Sequence, residues 1–171
     1  RTQSTFLTTH LASWGFVVAA TGTETGIFMD HQQFARDTRS FLHWVDHESD
    51  LPGSWLKSMA WDGDWSAVGH SMGGGALGLL VGIEPRVRTI IGLQSAQVSG
   101  PWLQSMQAFT GRAFHVAGSS DWIVPPAMVF LGFDAAQSAD RNVYFLVEGM
   151  GHLGCLDNPG SLDPLPAAEQ S

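Results

Sequence analysis

The sequence predicts an α/β domain with a mainly parallel sheet and flanking helices. Three observations carry that reading. Short apolar runs of strand length alternate with stretches of helical periodicity along the chain. Turn-forming residues separate them, with 20 Gly and 8 Pro among 171 residues. The side chains with most chemical promise each follow one of the apolar runs, and parallel sheets build their sites at the carboxyl ends of the strands.

Each element can be justified in turn. Phe6, Leu7, Leu11 and Trp14 share a helical face, and Gly15 is a natural stop. Phe16 to Ala20 (FVVAA) is a run suited to a buried parallel strand, and Thr21 to Gly26 is a loop by composition. Asp30 with Gln33 suits a helix start with a reciprocal cap. Phe34, Phe41, Leu42 and Val45 then form the apolar stripe of a helix running to about Asp46. Leu51 to Gly53 and Asp62 to Asp64 are turns. Trp65 to Gly69 is a second strand, and Met72 to Ile83 is a helix that stops before Pro85. Val87 to Leu93 and Ala113 to Ala117 are the third and fourth strands. Pro125 to Gln137 is helical with proline in its first turn, and Asn142 to Val147 is the fifth strand. The tail from Asp157 to Ser171 is Pro-, Ala- and Ser-rich and is expected to be loose. No repeat or linker divides the chain, so residues 1–171 read as one domain.

Composition narrows the function. Apolar residues make up 44% of the chain, enough for a buried core. Eight Lys and Arg face 16 Asp and Glu, for a net charge of −8, and Lys57 is the only lysine. Such a chain is a poor match for a phosphate backbone, so no nucleic-acid partner is expected. The apolar runs fall far short of the ~18 residues a membrane helix needs, so no membrane span is expected. Cys155 is the single cysteine, which rules out an internal disulfide or a thiolate-rich metal site and leaves the compartment open.

The loop after the second strand reads Gly69-His70-Ser71-Met72-Gly73-Gly74, a G-x-S-x-G pattern between strand and helix. A nucleophilic serine must project from a sharp turn, which requires small neighbours two positions away. The following helix aims its N-terminus at the site, where the Met72 N–H can donate to an oxyanion. A serine needs a base, and the base needs an orienting partner. The fourth strand runs into Gly118-Ser119-Ser120-Asp121-Trp122-Ile123-Val124-Pro125, and the fifth into Glu148-Gly149-Met150-Gly151-His152. Ser71, Asp121 and His152 therefore follow three predicted strands, in chain order Ser–Asp–His, with gaps of 50 and 31 residues that leave room for a strand and a helix. Taken singly, Asp121 also suits a turn and His152 a surface loop.

Competing patterns are weaker. His43 and His47 are four apart on a helix but lack the glutamate and third ligand of a zinc motif, so a solvated helix face is expected and no metal site. His70 occupies the variable position of the serine turn, where packing is the expected role. Trp14, Trp44, Trp55, Trp61 and Trp65 are expected in or near the core. Trp122 and Trp102 fall in loops by the site and are candidates for an apolar substrate wall, with core packing as the alternative.

LASWGFVVAA (Leu11 to Ala20), GHSMGGGA (Gly69 to Ala76), GSSDWIVP (Gly118 to Pro125) and GMGHLG (Gly149 to Gly154) together resemble the cutinase and polyester-hydrolase branch of the α/β hydrolases. Dienelactone-hydrolase-like and platelet-activating-factor-acetylhydrolase-like relatives are close behind, although dienelactone hydrolases proper use a cysteine where this chain has Ser71. The resemblance covers about residues 1–156 and implies Ser71 as nucleophile, His152 as general base, Asp121 as its orienter and Met72 as backbone oxyanion donor. It implies a small-molecule or polymeric ester substrate and no cofactor, and it is compatible with secretion. Three features depart from the family pattern. Gln94-Ser95-Ala96-Gln97 stands where polyester hydrolases carry a tryptophan, Cys155 has no disulfide partner, and the first strands with the second oxyanion donor have no counterpart. The chain is therefore expected to be the C-terminal part of a domain nearer about 250 residues.

The expectation is a serine carboxylic-ester hydrolase. The alternatives are a non-catalytic module on the same scaffold, or a thioesterase, lipase or other acyl hydrolase sharing its triad.

Overall fold

A computed structural model describes residues 4–22, 30–59, 63–97 and 100–157. Helix α1 (Thr5–Ser13) leads, followed by α2 (His31–Asp50) and a 3₁₀ turn at Trp55–Ser58. Then come β1 (Trp65–His70), α3 (Met72–Ile83), β2 (Val87–Leu93), α4 (Pro101–Ala108), β3 (Arg112–Gly118), α5 (Pro126–Ala135) and β4 (Arg141–Val147). The four strands form one parallel sheet in the order β1-β2-β3-β4. Each strand end therefore opens on the same edge, where the loops after β1, β3 and β4 can meet.

Strand register explains which side chains are buried. Ala67, Ile90 and Ala113 are paired across the sheet and share one face with Gly92 and His115. That face lies under the helices: α3 packs on β1 and β2, α5 on β3 and β4, and α2 and α4 flank α3. Ile90, Ala113, Leu80, Val87, Met106 and Trp102 are buried there together. The opposite face carries the row Val68, Ile91, Phe114 and Val143, which the described residues cover only in part. This explains why the strands alternate in burial instead of being buried throughout.

Local chemistry sets the helix limits. Asp30 accepts the Gln32 and Gln33 N–H groups at the start of α2. The reciprocal half of that cap is not made, because the Gln33 side chain bonds Asp37 and Arg36 instead. The far end of α2 runs to Asp50, past the expected Asp46, and is tied to the α3–β2 turn. There Arg86 bonds both Glu84 and Asp46. Glu84 is only 3% exposed, and the Arg86 guanidinium holds its carboxyl below the ordinary value. His43 completes this cluster at 3.2 Å from Glu84, so it faces a carboxylate as well as solvent.

Three expectations are corrected. Phe16 to Ala20 is not a strand: the chain leaves α1 through Gly15 at φ +90° and the run pairs with no described strand, leaving Phe16 and Val17 exposed. An apolar run becomes a buried strand only where a ladder partner exists. Trp14, Trp44 and Trp55 are exposed, Trp14 to 74%, because α1 buries no residue and Trp44 lies on the outer side of α2, stacked on Phe41. Trp102, expected in a loop beside the site, lies on α4 and is 5% exposed within the core. Gly78 makes that possible, since a Cβ there would meet the Trp102 indole. Trp61, Asp62, most of the 21–26 loop and the tail from 158 onward lie outside the described residues. Asp157 accepts the Thr5 and Phe6 N–H groups, tying the start of α1 to the segment after β4.

Candidate active site

Ser71 links β1 to α3 with φ 53° and ψ −120°, a conformation that costs a non-glycine residue about 1–3 kcal/mol. Three backbone bonds hold it: Ser71 N–H to the Leu93 carbonyl at 2.9 Å, and the Ser71 carbonyl accepting from Gly75 and Ala96 at 3.0 and 2.9 Å. The small residues required around it are not quite those expected. A Cβ at Gly69 would strike the Gly73 backbone, at Gly74 the Ser95 side chain and at Gly75 the Ala96 carbonyl. At Gly73 it would meet only the Phe34 ring at 3.9 Å, an ordinary contact. The tight fit thus falls on Gly69, Gly74 and Gly75. Met72 opens α3, and as a first-turn residue its N–H has no acceptor within the helix.

The loops after β3 and β4 bring the other two residues to this turn. His152 Nε2 lies 2.9 Å from Ser71 Oγ, and His152 Nδ1 lies 2.8 Å from Asp121 Oδ2. Asp121 and His152 are buried, at 3% and 5% exposure. A carboxylate only accepts, so Nδ1 carries the proton and donates to Asp121. Nε2 is then the acceptor for the Ser71 hydroxyl. The second carboxylate oxygen of Asp121 is also used: Oδ1 accepts the Ile123 and Val124 N–H groups at 2.9 and 2.8 Å. This Asx turn locks the Asp121 side chain and keeps Oδ2 aimed at the histidine.

The histidine loop is braced from the neighbouring strand ends. Ser119 Oγ accepts from Gly149 N–H, and Ser120 N–H donates to the Met150 carbonyl. His70 Nε2 lies 2.8 Å from the His152 carbonyl, with the two rings 4.8 Å apart. The carbonyl can only accept, so His70 Nε2 carries a proton. Burial pushes the His70 pKa below its ordinary value, which keeps the ring neutral beside His152. Packing alone, the role expected for His70, omits this bond.

Among the other residues expected near the site, Trp122 is 68% exposed beside Asp121, with Ile123 also exposed. Trp102 is removed into the core, as described above. Among the described residues, no three His, Cys, Asp or Glu side chains are grouped to hold a metal. No described helix is long and apolar enough to cross a membrane.

A chain of bonds from a strained serine hydroxyl through a neutral imidazole to a fixed carboxylate can take up the hydroxyl proton as the oxygen attacks an electrophile. Comparison with known proteins places the framework. No protein-family model matches the chain, and no curated protein does. Among solved structures, a predicted CIB-like hydrolase from Thermoplasma acidophilum superposes with a TM-score of 0.58 at 22% identity, over 86% of this chain and 63% of that one. MGS-MChE2, an α/β hydrolase from the metagenome of lagoon sediments at Mar Chica, Morocco, superposes with a TM-score of 0.56 at 14% identity, over 77% of this chain and 65% of that one. The chain has the α/β-hydrolase fold and spans just under two thirds of either structure's length.

Proposed function

We propose that this protein hydrolyses carboxylic esters through an acyl-enzyme on Ser71. The observation that carries the reading is the Ser71–His152–Asp121 hydrogen-bond chain, at 2.9 and 2.8 Å, with the serine held at positive φ. His152 Nε2 takes the Ser71 proton as Oγ attacks the ester carbonyl carbon, and the carbonyl oxygen becomes the oxyanion. Met72 N–H, at the positive end of α3, stabilises that charge. The tetrahedral intermediate collapses, the C–O bond to the alcohol breaks, and His152 returns its proton to the departing alkoxide. Water then attacks the acyl-enzyme, giving its proton to His152 and releasing the acid as Ser71 recovers its hydroxyl. Asp121 holds the Nδ1–H tautomer throughout and stabilises the imidazolium.

Substrate class follows from the surroundings. Trp122 and Ile123 present apolar surface next to Asp121, and the net charge of −8 disfavours anionic substrates. Neutral, apolar esters fit best, small or polymeric, consistent with the cutinase-like motifs. Ser71→Ala should abolish hydrolysis of a short p-nitrophenyl ester while leaving the fold intact by circular dichroism. Retention of most activity in that variant sinks the assignment.

A further inference from the structure

Gln94 follows β2 and is fully buried, at 0% exposure. It is one of two non-glycine residues with positive φ among the described residues, at 42°, the other being Ser71. A glycine would hold that backbone without strain, so the position keeps a side chain despite the cost. The amide shows why. Gln94 Nε2 donates to the Gly151 carbonyl at 2.9 Å, one residue before His152. Gln94 Oε1 accepts from Cys155 Sγ at 3.0 Å, three residues after it. The backbone N–H meanwhile donates to the Val116 carbonyl of β3 at 2.8 Å, anchoring the residue in the sheet.

We propose that Gln94 is a positioning residue for His152, an amide clamp that grips the histidine loop on both sides and ties it to the centre of the sheet. The Asp121 bond orients the imidazole ring, but it does not fix the backbone from which the ring hangs. Gln94 and His70 do that from adjacent strand ends, at the Gly151 and His152 carbonyls respectively. Gln94 is buried, and its side-chain bonds go to Gly151 and Cys155, not to Ser71 or the His152 ring. Its contribution is to keep Nε2 within hydrogen-bond reach of Ser71 Oγ, where a displacement of about 1 Å costs about 100-fold in rate.

The kinetic side of this inference rests on the esterase reading; the spectroscopic side does not. Gln94→Met keeps the length and removes both side-chain bonds. Gln94→Gly removes the clamp while relieving the backbone, and decides the matter should the methionine variant fail to fold. In the full chain, with folding checked by thermal unfolding, kcat on a p-nitrophenyl ester should fall about 10- to 100-fold with KM within about twofold. The His152 ring signals in ¹⁵N-histidine NMR should move at fixed pH, and its downfield Nδ1–H resonance should broaden or vanish. A folded variant with unchanged His152 spectra overturns the proposal, even if the protein proves to have no esterase activity. Unchanged kcat in an active enzyme overturns it equally. Loss of fluorophosphonate labelling in the wild type would instead strike the esterase reading and leave the NMR test standing.

Discussion

Asp121 binds His152 with one carboxylate oxygen, Oδ2 to Nδ1 at 2.8 Å, while its other oxygen is held by the Ile123 and Val124 amides. The division matters because it fixes which proton sits where. Asp121→Asn keeps the shape but offers an NH₂ toward Nδ1, which favours the wrong tautomer and leaves Nε2 protonated against Ser71. We expect kcat to drop by about 10⁴-fold with a small change in melting temperature, measured by ester hydrolysis and thermal unfolding.

The serine turn should tolerate no methyl group at Gly75, where a Cβ would run into the Ala96 carbonyl. Because Ala96 N–H also bonds the Ser71 carbonyl, the strain reaches the serine directly. Gly75→Ala should cost about 1–3 kcal/mol in urea unfolding and lower kcat as well. Gly73→Ala, whose methyl would meet only the Phe34 ring at an ordinary 3.9 Å, should cost distinctly less on both counts.

Acid should destabilise the fold through His115. Its ring lies buried under α5 against Phe133, and burial lowers its pKa to about 4. Between about pH 6.5 and 4 the unfolded chain binds a proton that the folded ring refuses, so stability rises with pH there and is fully present above about 6.5. Over that window the loss on acidification should approach about 3 kcal/mol. Comparing urea midpoints at several pH values for wild type and His115→Phe checks this. The variant should show a flatter dependence.

Arg86 keeps the Glu84 carboxylate paired in its buried position and joins it to Asp46 on α2. Arg86→Met leaves that carboxylate without its main partner. The arginine side chain is 35% exposed, so solvent screens part of the pairing. We expect a loss of about 2–3 kcal/mol by chemical denaturation, with the α2–α3 packing loosened.

Much of this arrangement was legible in the residue order. β1 to β4 match the expected runs to within a residue at either end, because short apolar stretches bounded by turn residues leave little choice. Ser71, Asp121 and His152 stand out by their positions after those strands. Where reading failed, the missing information was non-local. Phe16 to Ala20 has the apolar character of a strand but no described pairing partner. The residue pattern does not announce helix α4 and so leaves Trp102 in an expected loop, although Gly100-Pro101 marks a helix start with proline in the first turn. The clamp from Gln94 could not be foreseen, since it joins residues 57 apart through a side chain at an unusual φ. His70 likewise reaches 82 residues along the chain to the His152 carbonyl.

Everything proposed for the site depends on Ser71 being an activated nucleophile. The most direct measurement is reaction of the folded protein with a fluorophosphonate, followed by mass spectrometry of its peptides. One phosphonyl group per chain is expected, on Ser71, with labelling slowed strongly in His152→Ala. Folded wild-type protein that stays unlabelled, or that is labelled at another serine, would contradict it.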